Sequence, residues 1–171
     1  MVPRPRRSSA ADTVLRDSEG HLQPPLKWAG GKRWLLPHLE PLWAPNRERR
    51  LVEPFCGGLG VALGLRPERA LLNDVNPHAV NFYLWLQRGL AVDVPTENDE
   101  TLYYAHRERF NALVLGGQGE SREAAELCYS LTRTGYNGLC RFNRKGAFNV
   151  PFGRHARIHY VRDFAPFREA L

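Results

Sequence analysis

A glycine-rich turn and an acid that follows the next strand are the first residues of this sequence that could do chemistry. The turn, Glu53–Gly60 (EPFCGGLG), begins at the end of the predicted strand Arg50–Glu53, and Asp74 ends the predicted strand Ala70–Asp74. Glycines let backbone approach a ligand at the carboxyl edge of a sheet, and an acid about twenty residues further on can accept hydrogen bonds from both ribose hydroxyls. The spacing predicts a site for a nucleoside-containing cofactor. The same residues also suit a purely structural turn.

The type of cofactor is narrowed by patterns that the sequence lacks. It contains neither Gly-x-Gly-x-x-Gly nor a phosphate-binding Gly-Lys-Ser/Thr loop, which argues against NAD and ATP. A cofactor without phosphate fits better, and S-adenosylmethionine (AdoMet) is the candidate. Its adenosine would bind Asp74, and its aminoacyl end would need Glu53 or Lys32. The alternatives are that Glu53 caps the turn and that Lys32 is a solvated residue at a helix start.

A second candidate site is the segment Leu131–Gly153, which mixes basic, aromatic and amide side chains in a way unusual for a buried core. Guanidinium groups can neutralise phosphates or bond guanine edges, asparagine can bond adenine, and an aromatic ring can wedge beside a base. The mixture predicts a nucleic-acid surface, while Gly146 also fits an ordinary charged hairpin turn. The basic and aromatic members are Arg133, Arg141, Arg144, Lys145, Tyr136, Phe142 and Phe148.

Composition limits the class of protein. A chain of 171 residues that is 43% hydrophobic can bury one modest core, and its net charge of +6 favours a polyanionic partner. Its three cysteines are widely spaced, which indicates neither a disulfide framework nor a zinc site. No apolar run approaches the roughly 18 residues of a membrane span, and the start lacks a signal-peptide core. We expect a soluble cytoplasmic protein that binds no metal and no membrane.

The elements that must position these residues follow from apolar patterns and caps. Strand, helix, strand and helix in succession predict parallel pairing of the two strands. Residues 1–23 are predicted to be a disordered basic arm, with order beginning near Pro24. The predicted elements are a helix at Arg33–Trp43, strands at 50–53 and 70–74, a helix at Gly60–Leu65, helices capped by Asn76, Asp99 and Ser121 and ending near Arg88, Leu115 and Thr134, and a hairpin of 140–142 with 147–150.

Three segments in this order resemble the Dam-type DNA adenine-N6 methyltransferases, the D12 class. They are Leu26–Lys32 (LKWAGGK), Val52–Gly58 (VEPFCGG) with Asn73–Asn76 (NDVN), and Arg133–Gly153. The resemblance covers about Pro24 to Gly153. It implies an α/β fold, a partial Rossmann-like AdoMet-dependent methyltransferase domain with a helical and β-hairpin DNA-recognition insertion. It also implies DNA adenine methylation, as in restriction–modification enzymes.

The resemblance assigns roles to individual residues. It implies that AdoMet is held by Trp28, Lys32, Glu53, Phe55, Gly57 and Asp74, with Trp28 against the cofactor and Asp74 on the ribose. It implies that duplex DNA is contacted by Lys27, Arg133, Tyr136, Asn137, Arg141 and Asn143, with Arg141 as the best candidate for bonding a base in the major groove. Without the resemblance, Trp28 would be taken for a core or hinge aromatic.

The sequence departs from the family pattern at two places. Leu59 stands where many relatives have the second glycine of Phe-x-Gly-x-Gly, so the register of the turn could differ. The family's catalytic Asp-Pro-Pro-Tyr is absent, and Pro24-Pro25, the one Pro-Pro pair, lacks both the acid and the aromatic residue. In the family that motif holds a flipped adenine for methyl transfer. No catalytic residue is therefore assigned.

We interpret the chain as the N-terminal part of a DNA N6-adenine methyltransferase. The expected organisation is an arm (1–23), an AdoMet-binding α/β part (24–98), a target-recognition region (99–153) and a return toward a missing catalytic part (154–171). One alternative is a non-catalytic DNA-binding remnant, or half of a split enzyme completed by a second chain. Another is an RNA-binding module without an AdoMet site, which would leave Asp74 unexplained.

Overall fold

The fold is described by a computed structural model for residues 20–161 and 163–171. Nearly all of the predicted basic arm lies outside these residues. Leu22, assigned to the arm, is 1% exposed and belongs to the core, and its carbonyl accepts a hydrogen bond from Arg33 at 2.9 Å. Ordered structure therefore begins before the predicted start at Pro24.

The described residues form six α-helices and two β-strands in a mixed α/β arrangement. A single 3₁₀ turn, Arg33–Leu35, precedes the first helix, where a helix from Arg33 was predicted. The elements are α1 (Leu36–Trp43), β1 (Leu51–Glu53), α2 (Gly60–Leu65), β2 (Ala70–Leu72), α3 (Pro77–Gln87), α4 (Glu100–Leu115), α5 (Arg122–Thr134) and α6 (Ala165–Ala170).

The three predicted caps are confirmed. Asn76 Oδ1 accepts the backbone N–H of His78 at 3.0 Å, and Asp99 Oδ1 accepts that of Leu102 at 2.7 Å. Ser121 Oγ accepts the N–H of Ala124 at 3.1 Å. Each cap satisfies a donor that the first helical turn leaves unpaired, which fixes where α3, α4 and α5 begin.

The sheet is small and parallel, as predicted. Leu51, Val52 and Glu53 of β1 pair with Ala70, Leu71 and Leu72 of β2. The pairing extends past the strand ends, because Asn73 donates to the carbonyl of Glu53 and Cys56 donates to that of Asn73, at 2.9 and 2.8 Å. The glycine turn and Asp74 are thereby brought to the same edge of the sheet.

Helix α5 lies between two hydrophobic clusters. Ala125 and Tyr129 face a first cluster formed with α2, α3 and α6, whereas Leu127 and Leu131 face a second cluster formed with α4 and the segment after α5. Ten of its thirteen residues are buried. This helix therefore connects the predicted cofactor-binding part of the molecule to the predicted recognition part.

The predicted hairpin is present as a turn but not as two strands. Phe142 and Phe148 form one isolated antiparallel bridge. The two backbone bonds that flank this bridge are present, at 3.1 and 2.9 Å. The N–H and C=O of Phe148 point away from that pair, and the side-chain amide of Asn111 on α4 bonds them at 2.7 and 3.0 Å. Asn111 thus pairs the outer edge of a hairpin that is too short to form two strands.

Candidate functional site

Asp74 organises the edge of the sheet. Its Oδ2 accepts the backbone N–H of Gly57 at 2.7 Å, and its Oδ1 accepts that of Asn76 at 2.9 Å. The half-buried carboxylate therefore ties the glycine turn to the start of α3. Gly57 has a φ of +50°, a backbone conformation that favours glycine.

Glu53 lies at the end of β1 and caps α2 rather than the turn itself. Its Oε2 accepts the N–H of Ala62 at 3.0 Å. Burial raises the pKa of the Glu53 carboxyl above its ordinary value, and the bond from Ala62 partly opposes that shift. Among the described residues, no hydrogen bond reaches its Oε1.

Trp28 packs against the glycine turn. A Cβ on Gly57 would lie 2.9 Å from the indole Nε1 of Trp28, and a Cβ on Gly58 would lie 2.8 Å from the Cβ of Trp28. Side chains are therefore excluded at both positions. Tyr83 of α3 also supports the turn, because its hydroxyl donates to the carbonyl of Gly58 at 3.0 Å.

Leu59 keeps the turn in the conformation that a glycine would favour. Its φ and ψ are 59° and 27°, the left-handed region, and its side chain is 1% exposed in the first core cluster. A left-handed conformation costs an L-residue roughly 1–2 kcal/mol. Burial of the leucine side chain offsets that cost, so a leucine is retained at a position whose backbone favours glycine.

Phe55 and Lys32 are the exposed members of the predicted cofactor set. Phe55 is 82% exposed at the end of β1, and the Lys32 ammonium donates to the carbonyl of Gly30 at 2.6 Å. A cleft of about 310 Å³ runs beside Trp28 and the glycines at 31, 58 and 60. Phe55 and Asp74 do not line this cleft, so the acid and the cleft meet only through the turn.

Cys56 is a free thiol within the turn. Burial, and then the nearby carboxylates of Asp74 and Glu53, raise its pKa to about 11. At neutral pH the group is therefore a thiol and a poor nucleophile.

Lys27 joins the predicted cofactor-binding motif Leu26–Lys32 to the predicted recognition segment. The backbone of its motif meets the turn at 136–138, where Ala29 donates to the carbonyl of Gly138 at 3.0 Å. The Lys27 Nζ lies 3.1 Å from Nε2 of His155. Burial, followed by the charge of Arg133, lowers the pKa of the Lys27 ammonium. The sequence reasoning missed His155, which carried no motif signal.

Arg133 is half-buried and its guanidinium is used within the protein. It donates to the carbonyls of Pro25 and Pro24 at 2.6 and 3.2 Å and lies over the ring of Tyr129, with 5.9 Å from Cζ to the centroid. Burial lowers its pKa. Its predicted DNA contact stays a prediction, but these bonds already assign Arg133 a structural role.

Arg141 is exposed and held in one orientation. Its Nε donates to Oδ1 of Asn149 at 2.8 Å, and its Nη2 donates to the Asn149 carbonyl at 3.3 Å. An arginine oriented in this way presents its remaining donors to a ligand with less loss of conformational entropy. Asn149 therefore positions Arg141, a role that no motif in the sequence indicated.

The other predicted DNA contacts differ in their exposure and in whether their side chains are already bonded within the protein. Tyr136 is 49% exposed, and the exposed Asn137 has a φ of 51° in a single 3₁₀ turn. Asn143 closes the charged turn, because its Oδ1 accepts the N–H groups of Lys145 and Ala147 at 2.9 and 3.0 Å. The Asn143 side chain therefore stabilises the turn.

No helix of residues 20–161 and 163–171 is long and apolar enough to cross a membrane. Within the same residues, no cluster of three or more potential metal ligands is present.

Comparison with known proteins identifies the family. Residues 28–165 match the family described as D12 class N6 adenine-specific DNA methyltransferase. The chain is 34% identical over 148 residues to the Type II methyltransferase M1.LlaDCHI of Lactococcus lactis subsp. cremoris, covering 83% of this chain and 51% of that protein. It is 39% identical over 143 residues to the DNA adenine methylase of Escherichia coli K12, covering 79% and 49%.

A third relative, the DNA adenine methylase of Vibrio cholerae, is 37% identical over 144 residues, covering 79% of this chain and 49% of that protein. The chain spans about half the length of the curated relatives it matches. The family match covers most of the sequence and includes both the Asp74 edge and the Arg141 segment. The chain therefore belongs to the D12 class of N6 adenine-specific DNA methyltransferases.

Proposed function

We propose that this chain forms the AdoMet-binding and DNA-recognising part of an enzyme that methylates N6 of adenine in duplex DNA. The observation that carries the proposal is the Asp74 carboxylate, which lies at the carboxyl edge of a parallel sheet and accepts the N–H of Gly57 at 2.7 Å. Open α/β sheets bind ligands at this edge. Family membership supports the reaction class, the Rossmann-like domain and its recognition insertion.

The residues at this edge fit AdoMet. Each oxygen of Asp74 accepts one hydrogen bond from within the protein, which leaves acceptor capacity for the two ribose hydroxyls. Phe55 offers an exposed ring after the end of β1, and Trp28 packs against Gly57 and Gly58 of the turn. Lys32 is an exposed cation for the aminoacyl carboxylate, and Glu53 is an acceptor for its ammonium group. When bound, AdoMet supplies the electrophilic methyl group.

The DNA-recognising part centres on Arg141. Its guanidinium is exposed and oriented by Asn149, which suits bidentate bonding to a guanine edge. Tyr136 and Asn137 are exposed at the end of α5, where they would lie beside the duplex. Chemistry on N6 requires the adenine to leave the stack. Because the enzyme acts on DNA, we also retain the predicted cytoplasmic location.

The exposed face of the sheet favours a second candidate, in which the chain is one half of a methyltransferase completed by further strands. Val52 and Leu71 are cross-strand partners, yet they are 52% and 47% exposed. Leu51 and Glu53 make the bonds to β2, so the backbone groups of Val52 point to the opposite edge. Parallel sheets are normally covered on both faces. A partner strand carrying Asp-Pro-Pro-Tyr would pair with the open edge of β1 and supply the groups that hold adenine.

The test is transfer of labelled methyl from AdoMet to duplex DNA, followed by identification of N6-methyladenine. The chain is assayed alone and mixed with the C-terminal half of the Escherichia coli relative. Label with the chain alone would mean that the chain builds a catalytic pocket by itself and would refute the split enzyme, whereas label only in the mixture would support the split enzyme. A chain that binds neither AdoMet nor DNA would refute both candidates.

The role of Asp74 is tested separately by AdoMet binding. Asp74→Asn keeps an oxygen for one of the two internal bonds and removes the charge, so we expect a large loss of AdoMet affinity with non-specific DNA binding preserved. Asp93→Asn is the matched control, because Asp93 pairs with Arg122 at the surface at 2.6 Å. Equal loss of AdoMet and DNA binding in Asp74→Asn would assign Asp74 a structural role instead.

A further inference from the structure

The first turn of α3 contacts both the candidate cofactor edge and the segment that carries Arg141. The backbone N–H of Asn76 donates to Oδ1 of Asp74 at 2.9 Å. The side-chain Nδ2 of Asn76 donates to Sγ of Cys140 at 3.2 Å. Its Oδ1 meanwhile caps α3. One residue therefore bonds the cofactor acid, the helix and the residue before Arg141.

His78 makes a second connection between the same parts. Its ring stacks on Phe142, with centroids 4.9 Å apart and an interplanar angle of 27°, and it meets Phe110 of α4 edge-on at 5.1 Å. His78 is buried, and its Nδ1 has no hydrogen-bond partner among the described residues. An unpaired buried nitrogen carries a cost. The imidazole serves here as an aromatic plate rather than as a polar group.

Arg141 lies between the two residues that α3 holds. Cys140 is bonded by Asn76, and Phe142 is stacked by His78. The position of the Arg141 backbone is thus set from α3, while its guanidinium is set by Asn149. We call Cys140–Phe142 in contact with α3 the docked segment.

We infer that Asn76 and His78 couple cofactor binding to DNA recognition through the docked segment. The inference rests on the proposed function, because it takes AdoMet at Asp74 and DNA at Arg141. A ribose bonded to Asp74 favours the carboxylate orientation that accepts the N–H of Asn76, and this favours docking. DNA bound by Arg141 favours the same docked segment. Each ligand therefore stabilises the arrangement that the other binds, by a reciprocal factor.

The coupling is measured as a ratio of dissociation constants. S-adenosylhomocysteine, which cannot donate a methyl group, is titrated into the full chain by calorimetry. The titration is done without DNA and with a saturating duplex that the chain enriches from a randomised pool. We expect tighter binding with DNA by at least about 5-fold, the lower end of typical couplings.

Variants at His78 separate the ring from the nitrogen. His78→Ala removes the stack on Phe142, and we expect the ratio to fall toward one. His78→Phe keeps an aromatic plate without the unpaired nitrogen, and we expect the ratio to be retained. On the other contact, Cys140→Ala should lower the ratio, whereas Cys140→Ser keeps an acceptor for Asn76 and should retain it.

Three results would overturn the inference: a ratio of one in the unmodified chain, an unchanged ratio in folded His78→Ala, or the same loss in His78→Phe as in His78→Ala. If His78 has only a structural role, His78→Ala would lower the melting temperature and weaken S-adenosylhomocysteine binding equally with and without DNA, so the ratio of the two dissociation constants would not change. If His78→Ala does not fold, Phe142→Leu removes the same stack from the other side. Binding of both ligands without coupling would leave the proposed function intact, while binding of neither would refute that function too.

Discussion

Replacing Leu59 by glycine is expected to destabilise the protein less than replacing it by alanine, the reverse of the usual order. Both changes remove a side chain that is 1% exposed, and loss of a buried leucine costs about 3–5 kcal/mol. Alanine retains the strain of a φ of 59°, which is worth roughly 1–2 kcal/mol. Glycine relieves that strain, but it also increases the conformational entropy of the unfolded chain, which lowers the free energy of unfolding by about 0.4–1 kcal/mol. The net advantage of glycine is about 1 kcal/mol.

Urea unfolding followed by the fluorescence of the four tryptophans measures this difference. With a slope of about 1–3 kcal/mol per molar, 1 kcal/mol moves the midpoint by about 0.3–1 M. Leu63 is the matched control, because it is equally buried but lies inside α2. There, alanine should be the milder change by about 1 kcal/mol. A Leu59→Ala midpoint at or above that of Leu59→Gly would refute the reasoning.

Three further predictions follow from named contacts. Asn111→Leu leaves both backbone groups of Phe148 unpaired and should lower the free energy of unfolding in urea by about 2 kcal/mol or more. A loss below about 0.5 kcal/mol, which is typical of a surface substitution, would contradict this expectation. Arg141→Ala should flatten sequence preference in competition binding, whereas Arg144→Ala should weaken all duplexes equally; identical profiles would remove Arg141 from base recognition. Alkylation of Cys56 should accelerate about tenfold per pH unit up to its pKa of about 11, and a plateau near pH 8 by kinetics would contradict the burial argument.

Much of the fold could be predicted because the relevant signals are local. A cap acts within three residues, so Asn76, Asp99 and Ser121 marked the starts of α3, α4 and α5 without knowledge of the rest of the chain. The strand pairing followed from the order of elements, since successive strands joined by a helix pair in parallel. The family followed from three motifs in order, and the match over residues 28–165 confirms it.

The candidate site was predictable in its residue types but not in its contacts. That Asp74 follows β2 was evident, whereas its two bonds to Gly57 and Asn76 depend on the turn returning to the sheet edge. Arg133 and Arg141 look alike in the sequence. Only packing decides that the first bonds the Pro24 and Pro25 carbonyls, while the second is exposed.

The sequence by itself determined five of the six helices, three helix caps, the parallel pairing and the family, because these depend on neighbours along the chain or on motifs; α6 (Ala165–Ala170) was not predicted. Tertiary structure decided which side chains are used internally, because partners such as Asn111 and Phe148 are 37 positions apart. It also decided that Leu59 keeps a left-handed turn, since burial in the core offsets the backbone strain. Tertiary structure also decided the contacts of Asn76 with Cys140 and of His78 with Phe142, because only packing brings these distant segments together.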